Sequence, residues 1–111
     1  MKEEDKKKAV QVVKSFMKKM NITIDESDFN NPLGWKNGFS VKYLENEKLR
    51  GGKRQNVYEI HFDGKDYVEY NKNGEIVSLI EGQKFGAYLD EDFNLLYVGT
   101  NHGYIEPDGT Y

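Results

Sequence analysis

The sequence predicts an α+β fold in which one N-terminal helix packs on a curved antiparallel β-sheet meander. Three observations predict it. Helical periodicity occurs once, near the start. Every later apolar segment is short and mostly alternates. Turn dipeptides separate those segments at short intervals, with no repeat and no second stretch able to build its own core, so residues 1–111 read as one domain.

The helix is expected over residues 5–20. Ala9, Val12, Val13, Phe16, Met17 and Met20 recur at spacings of three and four and form one apolar stripe. Lys6, Lys7, Lys14 and Lys18 fall mainly on the other side. Glu3, Glu4 and Asp5 suit the positive end of the helix dipole, Lys18 and Lys19 suit the negative end, and Asn21 is placed to cap it. Residues 21–38 read as a connector holding a short strand at 22–24, with Phe29, Leu33 and Trp35 folding back on the core.

The strands follow in order. In FSVKYL, residues 39–44, Phe39, Val41 and Tyr43 share one face, as a half-buried strand requires. Residues 45–56 are polar, contain Gly51-Gly52 and read as a long mobile loop. VYEIHF, residues 57–62, puts Tyr58, Ile60 and Phe62 on one face and Val57, Glu59 and His61 on the other. Asp63-Gly64 and Asn73-Gly74 are hairpin signals, with YVEY (67–70) between them. EIVSLI, residues 75–80, is nearly all apolar and reads as a central or doubly covered strand. Segments 85–89 and 95–99 flank an acidic turn, DEDFN, and 103–106 can add a last strand before Pro107-Asp108-Gly109.

Charge is divided along the chain. Residues 1–20 hold seven lysines against three acids, a balance of +4; residues 55–111 hold eleven acids against three lysines, a balance of −8. A basic helix beside an acidic sheet steers charged partners. The acidic half argues against nucleic acid, although Lys6–Lys8 and residues 48–54 together make a basic side. With no cysteine there is no disulfide, thiol nucleophile or thiolate metal site. A cysteine-free chain fits a reducing cytoplasm, or an exported protein if Met1 replaces a removed signal. No run of about 18 apolar residues suggests a membrane span.

Chemistry is sparsely signalled. His61 can act as a base beside Glu59 or Glu69, but a strand histidine on a polar face is the plainer expectation. His102, in TNHGY, suits a turn. Asp90, Asp92 and Asn94 have the alternate spacing of a calcium loop without its glycine or closing glutamate, so an acidic turn is expected, as it is for Asp63 and Asp66. GGK at 51–53 lacks the strand–loop–helix setting of a phosphate loop. No catalytic residue, cofactor or metal is therefore expected.

The order of elements resembles cystatin-like folds, and residues 6–80 resemble a PepSY-type domain: a helix, a strand, a loop, then strands closing at VEYNKNGEIVSL. The hairpins after Gly82 depart from that pattern. The resemblance implies a non-catalytic binding or inhibitory module. Where a cystatin carries QxVxG, this chain has Gln55 and Val57 but Glu59 in place of the glycine, which argues against protease inhibition. NTF2-like cups also resemble the plan.

The expectation is a small non-enzymatic protein-binding module, an inhibitor or immunity protein of bacterial or phage type, whose partner presents a basic surface. Tyrosine supplies rigid contact area, and acids supply on-rate and specificity. The contact residues expected are Tyr67, Glu69, Tyr88, Asp90, Glu91, Asp92, Tyr97 and Tyr104. The alternative is a ligand-binding or enzymatic cup between helix and sheet, using His61.

Overall fold

In the computed structural model, the described residues are 1–26, 38–65, 67–80 and 82–111, with the side chains of Tyr67, Val68 and Ile80 excepted. The expected packing of Phe29, Leu33 and Trp35 and the turn role of Asp66 fall outside them. One N-terminal helix packs on a strongly curled antiparallel sheet, a half-barrel, so the α+β expectation is met.

Helix α1 spans Glu3–Lys19 and buries Ala9, Val13, Phe16 and Met17. It ends because Asn21 adopts the left-handed conformation, at φ 59°. The Asn21 N–H then reaches the Lys18 carbonyl and the Ile22 N–H the Met17 carbonyl, 3.1 and 3.0 Å. These two bonds form a Schellman motif and satisfy carbonyls that the helix end would leave bare.

The strands are β1 (Ile24–Asp25), β2 (Phe39–Lys48), β3 (Arg54–Gly64), β4 (Tyr67–Tyr70), β5 (Ile76–Ile80), β6 (Lys84–Leu89), β7 (Leu95–Thr100) and β8 (Gly103–Ile105). β3 is central. β1 and β2 both pair along one of its edges, and β6, β7 and β8 follow in order from the other. Alternation sends Tyr58, Ile60 and Phe62 toward the helix, where they join Phe39, Phe85, Ala87, Leu89, Val98 and Ile105 in one core. Phe39, Phe62 and Phe85 stack across three strands with centroids 5.7 and 5.2 Å apart. Aromatic pairs of this kind add roughly 0.5–1.5 kcal/mol each beyond their burial.

Three strand expectations are corrected. Residues 45–56 are not a long loop: β2 runs to Lys48 and β3 begins at Arg54, leaving a short turn between them. Asp63-Gly64 does not join β3 to β4 as a hairpin. The Gly64 N–H donates to the Gln83 carbonyl and the Lys65 N–H to the Thr23 carbonyl, so the chain is tied to other segments and leaves the sheet there. Residues 75–80 are not central or doubly covered. Among the described residues β5 pairs with β4 alone, in a separate two-stranded sheet.

Four turns share one hydrogen-bond pattern. In Leu49–Lys53, Asn71–Glu75, Asp90–Asn94 and Glu106–Thr110, the first N–H donates to the fifth carbonyl and the fourth N–H donates to the first carbonyl. The fourth residue is left-handed in each: Gly52, Gly74, Phe93 and Gly109, at φ 87°, 79°, 64° and 89°. Glycine takes this conformation freely and phenylalanine does not. Phe93 is held there while its ring stacks on Tyr58 at 4.9 Å.

Candidate functional site

Three surfaces carry the residues of interest. The first is the β4–β5 arm. Among the described residues its strands pair with each other and with no strand of the large sheet. Every residue from 69 to 77 is exposed. Tyr70, Ile76, Val77 and Leu79 are exposed by 61%, 64%, 58% and 61%. Glu69 sits among them, paired in register with Ser78. At the tip, Asn71 Oδ1 accepts the N–H groups of Asn73 and Glu75 at 2.9 and 3.0 Å, which fixes the turn. Of the contact residues expected from sequence, Glu69 lies here. Tyr67 opens β4, and its side chain is outside the described residues.

The second surface is the sheet face turned away from the helix. Registers Glu59↔Tyr88 and Tyr88↔Tyr97 set three side chains in a row, and Gly99↔Tyr104 adds a fourth nearby. Tyr88, Tyr97 and Tyr104 form a ladder with centroids 4.9 and 5.4 Å apart. The curl of the sheet brings the β2–β3 turn over this ladder. The Arg50 guanidinium lies 4.8 Å from the Tyr97 centroid and 4.5 Å from that of Tyr104, and it pairs with Glu106. The Arg50 N–H donates to the Tyr97 hydroxyl at 3.4 Å. Tyr97 is thereby 9% exposed and is a packing residue more than a contact residue, while Tyr104 remains 46% exposed.

Glu59 and His61 share this outer face, with His61 Nε2 and Glu59 Oε1 2.8 Å apart. The imidazole lies over Gly86, where an added Cβ would sit 3.3 Å from its Cε1. Burial, reinforced by the charge and hydrogen bond of Glu59, holds the Tyr88 phenol well above the usual tyrosine range. Because Tyr58, Ile60 and Phe62 face the helix, His61 does not face the space between helix and sheet that an enzymatic cup would use.

The third surface is the acidic turn at residues 90–94. Its members do different jobs. Asp90 Oδ1 accepts from the N–H groups of Asp92 and Asn94, both at 2.9 Å, and Asp90 Oδ2 accepts from Asn94 Nδ2. Asp90 is therefore a turn builder, in the same position as Asn71 in the arm. Glu91 accepts from the Tyr43 hydroxyl at 2.8 Å and from Asn56 Nδ2 at 3.3 Å. Asp92 is exposed at the turn, and its backbone N–H is one that Asp90 accepts. The hydrogen bond to Glu91 is the main reason the Tyr43 phenol is pushed up to about 12.

The eight residues expected from sequence thus do not form one patch. Tyr88, Tyr97 and Tyr104 come together, Asp90, Glu91 and Asp92 form a separate turn, and Tyr67 and Glu69 belong to the arm. The sequence reading missed Tyr70, Ile76, Val77 and Leu79, which it assigned to a strand pair within the sheet. Among the described residues no three His, Asp or Glu side chains gather as a metal site, and no helix is long and apolar enough to cross a membrane. Comparison with family models, curated proteins and solved structures finds no match.

Proposed function

We propose that this protein is a small non-enzymatic protein-binding module of the inhibitor or immunity type, and that it grips its partner with the β4–β5 arm. One observation carries this reading: four large apolar side chains stand exposed on a hairpin that, among the described residues, pairs with no other strand. An isolated two-stranded hairpin is marginal in water. Large apolar side chains exposed together on one element suit an interaction site. Glu69 and Glu75, both exposed beside the apolar residues, suit a partner whose apolar surface is rimmed by lysine or arginine. The inhibitory role draws on the resemblance of residues 6–80 to PepSY-type domains and is part of the proposal.

The test is a pull-down from the native host at low and moderate salt, with wild-type protein beside an Ile76→Ser, Val77→Thr, Leu79→Ser variant, followed by reconstitution with the purified partner. A stoichiometric partner held by wild type, released by salt and lost by the variant is expected. A partner held equally by the variant moves the interface off the arm. The absence of any partner, with a small molecule co-purifying, sinks the reading.

A further inference from the structure

At the root of the arm, on the side of the helix C-terminus, lies a cleft of about 760 Å³. Small-molecule sites commonly span about 300–1,000 Å³, with a mostly apolar lining and a few fixed polar groups. Ile22, Phe85 and Ile105 supply apolar wall, and Thr23 a hydroxyl. Lys65 and His102 also line it. In a half-chain with eleven acids against three lysines, the ionisable side chains described along this cleft are one lysine, one histidine and two phenols, Tyr104 and Tyr111.

Lys65 and His102 stand on fixed backbone. The Lys65 N–H donates to the Thr23 carbonyl at 3.0 Å, which ties the cleft's two sides together. The His102 N–H donates to Thr100 Oγ1 at 3.1 Å, and that hydroxyl donates to the Gly103 carbonyl at 3.2 Å. Both side chains are exposed, so their polar ends are available to a ligand.

We propose that this cleft binds an apolar molecule bearing one carboxylate. Ile22, Phe85 and Ile105 would receive the apolar body, and Lys65 and His102 would receive the carboxylate. A single ammonium with an imidazole suits one carboxylate better than a phosphate, which recruits clustered cations and backbone N–H groups. The same chemistry is offered by a free alkyl or aryl acid and by the C-terminal residue of a polypeptide. The site is separate from the exposed residues of the arm, so its failure leaves the protein-binding reading untouched.

The experiment is an amide-resolved NMR titration with hexanoate, 4-phenylbutyrate and a tetrapeptide ending in leucine, each beside its primary amide. The expected result is saturable shifts centred on Thr23, Lys65, Thr100 and His102, with the acid binding about tenfold or more tighter than its amide, as loss of a charge-assisted hydrogen bond implies. Lys65→Glu keeps the backbone N–H and should weaken the acid by a similar factor with the spectrum otherwise unchanged; His102→Ala gives a second reading of the same end. If the peptide acid binds tightest, the source is a polypeptide terminus, and if the free acids do, it is a small molecule. No saturable shift with any acid, equal binding of acid and amide, or undiminished binding to Lys65→Glu overturns the proposal.

Discussion

Replacing Leu79 by serine should lower stability only slightly, and replacing Leu89 by alanine should lower it severalfold more. The contrast is the sharpest test of the arm. Full burial of a leucine is worth about 1.5–3 kcal/mol. Leu79 is 61% exposed, so only about two-fifths of that attaches to it, roughly 1 kcal/mol. Ile76, at 64% exposed, carries no more. Leu89 is fully buried in the core, where truncation to alanine costs about 2–5 kcal/mol through lost burial and the cavity left behind. For a domain of this size 1 kcal/mol moves Tm by about 4 °C, so Leu79→Ser should fall within about 4 °C of wild type and Leu89→Ala at least 8 °C below it. Circular dichroism melts and urea titrations at fixed protein concentration read both. A loss above about 2 kcal/mol for Leu79→Ser would mean that the side chain is packed, and the argument for an unpartnered arm would fail.

Arg50→Ala removes two cation–π contacts and a partly exposed ion pair, together about 1–2 kcal/mol, and urea unfolding should show that loss; Arg50→Lys should recover only part of it, because the flat guanidinium is what covers both rings. Tyr43 should resist ionisation. An unfolded tyrosine loses its proton near pH 10 and folded Tyr43 near 12, so the unfolded chain binds fewer protons in that window and stability falls as pH rises through it. Tyr88 and Tyr58 are also raised, so tyrosinate absorbance should show several late-titrating phenols, one fewer in Tyr43→Phe, and Tyr43→Phe should lessen the alkaline loss of stability. Gly38→Ala should cost about 2 kcal/mol or more by thermal melt, since Gly38 is left-handed at φ 80° and an added Cβ would drive into the Asp25 carbonyl.

What the sequence made legible was what local chemistry determines. The helix stripe from Ala9 to Met20 appeared because its six apolar residues need one covered face and only helical spacing supplies it. The turn at Asp90–Asn94 was legible because Asp90 can satisfy two N–H groups of its own turn, and Asn73-Gly74 was legible because Gly74 takes the left-handed conformation that its turn needs. Which strands pair was not legible in that way. Asp63-Gly64 has the composition of a hairpin, but the N–H groups at Gly64 and Lys65 find carbonyls at Gln83 and Thr23, far along the chain in one case and before β2 in the other. Once the chain leaves β3 there, the apolar run of β5 goes with it, and apolar composition no longer implies a covered strand.

The candidate site divides along the same line. Strand alternation fixed the face of Glu59 and His61 in advance, because period two leaves no other choice once Tyr58, Ile60 and Phe62 take the core, and the register Glu59↔Tyr88 then adds Tyr88. Alternation cannot say whether that outer face is bare. It is closed by Arg50, which belongs to a segment whose glycines and charges suggested mobility. Those glycines instead set the turn that lets Arg50 reach over Tyr97 and Tyr104 while Glu106 holds its charge. A tyrosine-rich face already capped by its own arginine has limited surface left to offer a partner. The arm has the opposite balance: its exposed apolar side chains have no cap within the described residues, and Glu69 and Glu75 flank them with charge. That difference in coverage is why the proposal places partner binding on the arm and leaves the ladder a packing role.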